Sequence, residues 1–233
     1  MPQVTAVSLQ GQATTDDGQL TTKSTMEIVT AAIENYLIRV TPQEDPILKE
    51  MEARARETNF PIVGPLVGRL LYQFVKLTGS HRVLELGSGF GYSAYWFGQA
   101  LGDSGELILT ELLEENLALA KDSLERGKIS SRARFYQGDA LEILEDLEGQ
   151  FDIIFNDVDK HQYPEVFKRA TPRLRSGGLL ISDNVLWQGK VVEGQPDERT
   201  RGILEYNRLI FESSEFFSSI IPIRDGISVS LKS

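Results

Sequence analysis

Residues 82–93 read RVLELGSGFGYS, a short apolar run that leads directly into a turn with glycine at every second position. The run Arg82–Leu86 predicts a buried β-strand, and the glycines allow the backbone to turn sharply behind it. Their G-x-G-x-G spacing differs from the G-x-G-x-x-G spacing typical of dinucleotide-binding turns. The stretch therefore predicts the first strand and loop of an α/β fold, in which the loop either cradles a ligand or is only a turn.

The alternation of strand and helix continues along the chain. Strands are predicted at 82–86, 106–110, 132–137, 151–155 and 178–182, with helices through Leu101 and at 114–126, 140–147, 163–174 and 197–211. Strands joined through helices imply right-handed crossovers and a mostly parallel sheet. Two final runs, Phe217–Ile223 and Ile227–Leu231, flank an Asp-Gly pair, which indicates a hairpin. We expect a seven-stranded, mostly parallel sheet that ends antiparallel.

The chain before the first strand is predicted to be helical. A capping box at Ser24–Glu27 precedes apolar residues at one-face spacing, and Pro46 and Pro65 each stand where a helix begins. Residues 1–23 are polar and predict a flexible arm. We expect the arm over 1–23 and one domain over 24–233, made of a helical cover (24–80) and an α/β core (81–233).

Composition restricts the chemistry without defining it. The 233 residues include no Cys, 24 Lys and Arg, and 34 Asp and Glu, giving a formal net charge of −10. The lack of Cys excludes disulfides, thiolate catalysis and Cys-bound metals, and fits a cytoplasmic location. No run of ~18 apolar residues or signal-peptide pattern is present, so we expect no membrane span. The negative charge argues against nucleic acid and anionic membranes as partners.

Polar residues follow the predicted strands, at the edge where ligands bind in open α/β sheets. Glu111 follows the second strand and either accepts hydrogen bonds from ribose hydroxyls or is solvated. Asp139, in Gly138-Asp139-Ala140, either receives the amine of a base or caps the next helix. The fourth strand leads into Asn156-Asp157-Val158-Asp159-Lys160, and the fifth into Asp183-Asn184.

The polar residues after the fourth and fifth strands form a candidate metal site. Asp157, Asp183 and Asn184 offer oxygen ligands, which suit Mg²⁺, Mn²⁺ or Ca²⁺ rather than zinc. The alternative for Asp183-Asn184 is an Asx turn. The joint pattern, with a candidate residue at every strand exit, favours a site.

These motifs resemble those of the cation-dependent O-methyltransferases that use S-adenosylmethionine, the family of caffeoyl-CoA and catechol O-methyltransferases. The resemblance rests on VLELGSGFGYSA (83–94) together with NDVDK (156–160) and SDNVLWQGKV (182–191), and it extends over about residues 47–231. It implies a Rossmann-like class I methyltransferase and a homodimer.

The resemblance also implies roles for individual residues. Lys160 is the base near the acceptor hydroxyl, Asp157 is both catalytic and a metal ligand, and Asp183 and Asn184 complete the metal set. Asp159 receives the amino group of the cofactor. The cofactor-binding residues are implied to be Ile62, Val63, Glu85, Gly87, Gly89, Tyr92, Ser93, Glu111, Asp139, Ala140, Asp157 and Asp159.

The implied reaction suits the residue types. The methyl donor is a sulfonium cation, which a carboxylate-rich cleft stabilises. A phenol has a pKa of about 10, so chelation by a divalent cation and a nearby base would help to form the nucleophile. We expect methyl transfer to a small catechol-type or phenylpropanoid acceptor. The sequence departs from the family pattern at Ser88, at Leu66-Val67 and at His161, which suggests a separate subgroup.

Alternatives remain open. Some relatives modify a hydroxylated tRNA base, and the glycine turn with Glu111 also permits an NAD-dependent oxidoreductase or a non-catalytic cofactor-binding protein. Trp187 is either a lid or a core anchor. Lys190, Arg199, Arg201 and Arg208 form either a solvated helix face or a surface for an acidic substrate tail such as the CoA phosphates.

Overall fold

A computed structural model describes residues 28–42, 45–129 and 132–233. The predicted arm and the capping box lie outside these residues. The helices are α1 (Ala31–Val40), α2 (Pro46–Thr58), α3 (Gly64–Thr78), α4 (Tyr92–Leu101), α5 (Glu114–Arg126), α6 (Ala140–Asp146), α7 (Tyr163–Ala170) and α8 (Glu198–Glu212). The strands are β1 (Arg82–Leu86), β2 (Glu106–Glu111), β3 (Arg132–Gln137), β4 (Phe151–Asn156), β5 (Leu174–Ser182), β6 (Phe216–Ile221) and β7 (Ile227–Lys232).

The seven strands form one sheet in the order β3-β2-β1-β4-β5-β7-β6. Strands β1 to β5 are parallel, whereas β7 runs antiparallel to both β5 and β6. The predicted fold class is therefore confirmed. The strand order reverses between β1 and β4, and the crevice beside such a switch point is where open α/β sheets bind ligands.

The sheet is buried on both faces because the inner strands are apolar at nearly every position. Val83 and its face neighbours pack against α2, α3, α4 and α5. Leu84 and Leu86 face the other way and pack against α6, α7 and α8. Near-continuous apolar strands of this kind are typical of parallel sheets covered by helices on both sides.

Some boundaries differ from the prediction, and prolines account for two of them. Helix α7 ends at Ala170, and a 3₁₀ turn over Thr171–Arg173 follows, because Pro172 has no N–H to continue the helical hydrogen bonds. Strand β6 ends at Ile221, before Pro222, which cannot donate to the ladder. Helix α1 begins only at Ala31 and buries none of its residues. No helix in the described ranges is long and apolar enough to cross a membrane.

The glycine turn after β1 lies directly against the end of β4. Gly87 has a φ of 81°, in the region that favours glycine, and a Cβ placed there would come within 2.8 Å of the Asp157 backbone oxygen. The Asp157 N–H donates to the Leu86 carbonyl at 2.9 Å. The first and fourth strand exits are thus locked together by backbone contacts.

Helix α8 packs equally closely on the segment that carries Lys160. A Cβ at Gly202 would overlap the Lys160 carbonyl oxygen and the Cα of His161, both of them backbone atoms that cannot rotate away. We expect Gly202→Ala to lower the free energy of unfolding by about 1–3 kcal/mol, because the added methyl group must push two backbone segments apart. Chemical denaturation measures the change.

The matched control is Gly194→Ala, where nothing lies within 4 Å of the added Cβ. A Gly202→Ala protein as stable as the Gly194→Ala protein would show that this contact does not restrain the Lys160 segment.

Glu85 is a carboxyl group buried inside the sheet. It lies on β1 with no exposed surface, and only one of its oxygens has a partner, the Ser93 hydroxyl. Burial raises its pKa from 4.5 to about 8, the Ser93 hydrogen bond opposes the rise, and the nearby Asp157 and Glu111 charges add to it. Glu85 is therefore neutral at pH 7.

This raised pKa predicts a pH dependence of stability. An acid whose folded pKa exceeds its unfolded pKa releases its proton on unfolding, so its contribution to stability declines as the pH rises from about 4.5 to about 8. The Glu85→Gln protein should lose this decline, which amounts to several kcal/mol at most, because each pH unit of that interval changes the free energy of unfolding by ~1.4 kcal/mol. Urea denaturation at pH 5, 6.5 and 8 measures the slope. Glu57→Gln, on the exposed surface of α2, is the control, and equal slopes for Glu85→Gln and the parent protein would refute the assignment.

Candidate active site

A cavity of about 960 Å³ opens at the carboxyl ends of the central strands. Its walls come from the start of α1, the segment 60–63, the glycine turn, the exits of β2, β4 and β5, Arg199 of α8, and the hairpin turn at Asp225. Among the described residues, six carboxylate side chains and three basic side chains line it. The volume suits a nucleoside-sized ligand together with a small second molecule.

The structure brings most of the predicted site residues to this cavity. Ile62, Val63, Gly87, Gly89, Tyr92, Ser93, Glu111, Asp157, Asp159, Lys160, Asp183 and Asn184 all line it. Three candidates lie outside its wall. Glu85 is buried beneath the glycine turn, and Asp139 and Ala140 begin α6.

Glu111 holds the glycine turn in place. Its Oε2 accepts a hydrogen bond from the Gly89 N–H at 2.9 Å, and its Oε1 accepts one from the Leu113 N–H at 3.0 Å. The Asn116 amide adds a longer contact of 3.3 Å to Oε1. The predicted ribose-binding carboxylate is thus ordered by its own neighbours at the cavity wall.

Tyr92 and Ser93 begin α4 just behind the turn. The Tyr92 hydroxyl donates to Glu52 Oε1 on α2 at 2.8 Å, so it ties the glycine turn to the helical cover. Burial raises the pKa of Tyr92 above its ordinary value, and the tyrosine stays neutral. The Ser93 hydroxyl donates inward to Glu85. Both hydroxyl groups are already engaged within the protein.

Asp139 caps α6, which is one of the two roles that the sequence leaves open for it. Its Oδ1 accepts hydrogen bonds from the backbone N–H groups of Leu141 at 2.8 Å and Glu142 at 3.2 Å. Its Oδ2 lies 3.3 Å from the amide nitrogen of Gln162. The cap leaves the second oxygen with only this one long contact.

Lys160 is a buried cation paired with Asp157. Its Nζ donates to Asp157 Oδ1 at 2.8 Å and to the Val158 carbonyl at 3.2 Å. The ammonium also lies 5.2 Å from the centre of the Tyr163 ring and 5.9 Å from that of Trp187. Only 8% of Lys160 is exposed, so its charge is directed at the cavity and not at bulk solvent.

Asp157 and Asp183 lie side by side because of strand register. Asn156, the last residue of β4, pairs with Ser182, the last residue of β5. An aspartate follows each of them, so the pairing brings the two aspartates together. Burial raises the pKa of Asp157 despite the Lys160 charge. Burial, together with the negative charge of Asp157, raises the pKa of Asp183 to about 7. Two carboxylates that repel each other are well suited to share a cation.

Asn184 completes the candidate metal set. It adopts a left-handed conformation with φ of 55°, and its side chain hydrogen-bonds Asp225. Within the described ranges, no cluster of three or more His, Cys, Asp or Glu side chains is arranged to hold a metal ion. The candidate set is therefore two carboxylates and one amide, all of them hard oxygen donors.

Asp159 is held by an arginine that sequence reasoning placed only in a basic stretch. Arg199 of α8 donates to both carboxylate oxygens, at 3.1 and 2.6 Å, and His161 Nδ1 lies 2.9 Å from Oδ1. Burial raises the pKa of Asp159, but the hydrogen bonds from Arg199 and His161 outweigh it and lower the pKa to about 2. Asp159 is thus ionised at neutral pH. The half-exposed His161 is the second side chain that hydrogen-bonds it.

Sequence reasoning missed the hairpin turn as a wall of the site. Because β7 runs antiparallel beside β5, the turn that precedes β7 lies at the carboxyl end of β5. The Val185 and Leu186 N–H groups donate to the Gly226 and Asp225 carbonyls at 3.1 and 3.0 Å. The signal was available, since an antiparallel last strand returns to the ligand-binding edge of a parallel sheet.

The remaining residues of the basic stretch divide between site and surface. Trp187 lines the cavity, and the Lys190 ammonium lies 5.1 Å from the centre of its ring. Arg201 bonds the Pro196 carbonyl at 2.8 Å, and Arg208 pairs with Glu205 at 2.7 Å and with Glu212. Arg201 and Arg208 therefore belong to a solvated helix face.

Comparisons with known proteins agree with this geometry. Residues 37–233 match the model of a family described as O-methyltransferase. A catechol O-methyltransferase from Niastella koreensis is 30% identical over 199 residues, covering 82% of this chain and 90% of the relative. The structure of the Bacillus cereus O-methyltransferase in complex with SAH has a TM-score of 0.79 at 28% identity, covering 87% of this chain and 97% of that one.

A second solved structure gives the same result. TomG from Streptomyces achromogenes, an O-methyltransferase involved in tomaymycin synthesis and solved in complex with SAM, has a TM-score of 0.79 at 27% identity. The match covers 87% of this chain and 96% of TomG. With its fold, its strand-exit residues and a family match over most of its length, the chain belongs to the O-methyltransferase family.

Proposed function

We propose that this protein transfers a methyl group from S-adenosylmethionine to a hydroxyl of a small, catechol-type or phenylpropanoid acceptor, with a divalent cation. The observation that carries the proposal is the pair of carboxylates, partly buried Asp157 and buried Asp183, beside Asn184 and Lys160 in one cavity. Six carboxylates against three basic side chains give the cavity wall an excess of negative charge, which suits a sulfonium and a metal ion better than a phosphate group.

S-adenosylmethionine, when bound, supplies an electrophilic methyl group on a positively charged sulfur. The chain offers it the glycine turn of 87–91, the Glu111 carboxylate for hydroxyl groups and the ionised Asp159 for an ammonium group. Asp159 is well suited to that role because its pKa of about 2 keeps it charged. The unpartnered oxygen of Glu85 is buried beneath the turn, outside the wall of the cavity.

A divalent cation, if bound here, would favour ionisation of the acceptor hydroxyl. Asp157, Asp183 and Asn184 would hold it. Burial and the negative charge of Asp157 raise the pKa of Asp183, and a positive ion held by both carboxylates would relieve their repulsion, which supports the assignment.

Lys160, after it has given up its own proton, would take the acceptor proton at its Nζ as a neutral amine. Asp157 positions Nζ by a hydrogen bond of 2.8 Å, and the rings of Tyr163 and Trp187 lie 5.2 and 5.9 Å from it. The rest of the rate enhancement would come from holding acceptor and donor in line inside a closed cavity.

The metal assignment predicts the behaviour of two variants. Asp157→Asn and Asp183→Asn should each abolish Mg²⁺-dependent turnover of catechol, because each removes one of the two charged ligands. Isothermal titration should show that Mn²⁺ binding is lost as well. Asp103→Asn, in an exposed loop, is the control. Full activity of the parent protein in excess EDTA would refute the role of the metal.

The role of Lys160 predicts a change in kcat and not in cofactor binding. Lys160→Met should lower kcat by about 100- to 10,000-fold, the usual contribution of general acid–base catalysis. The Kd for S-adenosylhomocysteine, measured by titration, should stay within about threefold and would show that the fold is intact. An unchanged kcat would exclude Lys160 as the base.

We also propose a homodimer. Helix α1 exposes Ile33, Tyr36, Ile38 and Val40, and it has no buried residue in this single chain. Exposed apolar side chains on one short helix suit a second protein surface. Sedimentation velocity measures the oligomeric state.

A further inference from the structure

Arg224 differs from the other basic residues of the cavity in that it is only weakly paired. Lys160 bonds Asp157 at 2.8 Å, and Arg199 forms a two-point contact with Asp159 at 2.6 and 3.1 Å. The Arg224 guanidinium lies 3.5 Å from a Glu34 oxygen and 3.5 Å from the Ile62 carbonyl oxygen, both at the limit of hydrogen bonding. Among the basic side chains of the described cavity wall, it is the one most available to a ligand.

The backbone at Arg224 has an uncommon conformation for a residue with a side chain. Arg224 adopts φ of 49°, in the left-handed region that favours glycine or asparagine. Its turn continues into Asp225-Gly226, and its guanidinium fills the space above Gly64. Strained non-glycine residues are concentrated at functional sites, where the side chain compensates for the cost.

Arg224 is linked to the acceptor end of the cavity through the next residue in the chain. The next residue, Asp225, hydrogen-bonds the Asn184 side chain and accepts from the Gln188 N–H. Arg224 is therefore connected to the proposed metal ligand Asn184 through its neighbour Asp225. Arg224 and the proposed metal ligands line the same cavity.

The charge of the cavity restricts what that substituent can be. The wall carries six carboxylates and three basic side chains, and Lys160 and Arg199 are already paired with acids, so an acidic acceptor is repelled unless a cation with no close partner faces its anionic group. A guanidinium offers a planar, two-point match to a carboxylate. Glu34, the residue that such a carboxylate would displace from Arg224, lies on α1. Because this helix has no buried residues, the displacement of Glu34 disturbs no core packing.

We propose that Arg224 is a specificity residue that binds the carboxylate of an acidic catechol, such as a dihydroxybenzoate or dihydroxycinnamate. The inference rests on the proposed O-methyl transfer and adds the substrate class to it. An incoming carboxylate replaces Glu34 as the partner of Arg224. Neutral catechol lacks this contact and binds less tightly.

Binding experiments separate this inference from the catalytic one. Isothermal titration of 3,4-dihydroxybenzoate and of catechol, with Mg²⁺ and S-adenosylhomocysteine present, gives the Kd ratio without turnover. The parent protein should prefer the acid by about 10- to 100-fold, as expected for a charge-assisted pair. Arg224→Gly should abolish this preference and leave the catechol Kd within about twofold. Glycine suits the left-handed backbone there, so folding should not be impaired.

Three further proteins refine the test. Arg224→Lys keeps the charge without the planar fork and should show an intermediate preference. Glu34→Gln removes the competing carboxylate and should tighten dihydroxybenzoate binding. Arg208→Gln, which removes one positive charge from the solvated face of α8, should behave like the parent protein.

The contrary results are equally specific. The inference is overturned if the parent protein has no preference for the acid or binds neither ligand. It is also overturned if Arg224→Gly weakens both ligands equally, or if it weakens S-adenosylhomocysteine while the preference remains, since the guanidinium would then serve the carboxylate of the cofactor. If Arg224-dependent acid binding is found but neither ligand is methylated, the proposed function fails and the carboxylate site stands.

Discussion

The pairing of β4 with β5 is the constraint on which the site depends. Asn156 and Ser182 are the last residues of the two strands and lie opposite each other. The residue that follows each of them is an aspartate, and both aspartates line the same cavity. A shift of one residue in either strand would move one carboxylate to the other face of the sheet. The register is fixed by the buried apolar side chains of both faces, so core packing also sets the spacing of the acids.

Electrostatics then determines how the neighbouring groups are arranged. Two adjacent carboxylates in a cavity need a nearby cation, and the tight turn over 157–160 places Lys160 Nζ 2.8 Å from Asp157 Oδ1. That segment is held in turn by Gly87 on one side and Gly202 on the other, where the backbones approach too closely for any side chain. Arg199 binds Asp159, the second acid of this segment. Asp157 and Asp159 are therefore each paired with a different basic side chain. The pocket keeps an excess of negative charge, which suits a positively charged donor.

The sequence predicts the sheet well because the inner strands are apolar and the turns between them carry Gly, Asp and Asn. The exits of β1, β2, β4 and β5 are predictable for the same reason, since polar residues after apolar strands stand out. Arg199, Arg224 and Asp225 do not stand out, because a helix surface and a hairpin turn are ordinary places for them. Their role follows from how α8 and the antiparallel strand fold back over the edge, which depends on contacts far apart in the sequence. Asp139 shows the opposite case, because its local cap accounts for it without any ligand.

The antiparallel end of the sheet has a consequence for how substrates can be distinguished. In a wholly parallel sheet every residue at the ligand edge follows a strand, and here those positions are taken by the glycine turn and the candidate ligands. Strand β7 enters from the opposite direction, so its preceding turn reaches the same edge without displacing any of them. Asp225 supports Asn184 from that turn, and Arg224 beside it faces the cavity without a close partner. The donor and metal positions are thus separate from the position that would select the acceptor, so residue 224 can vary while Asp225 continues to support Asn184.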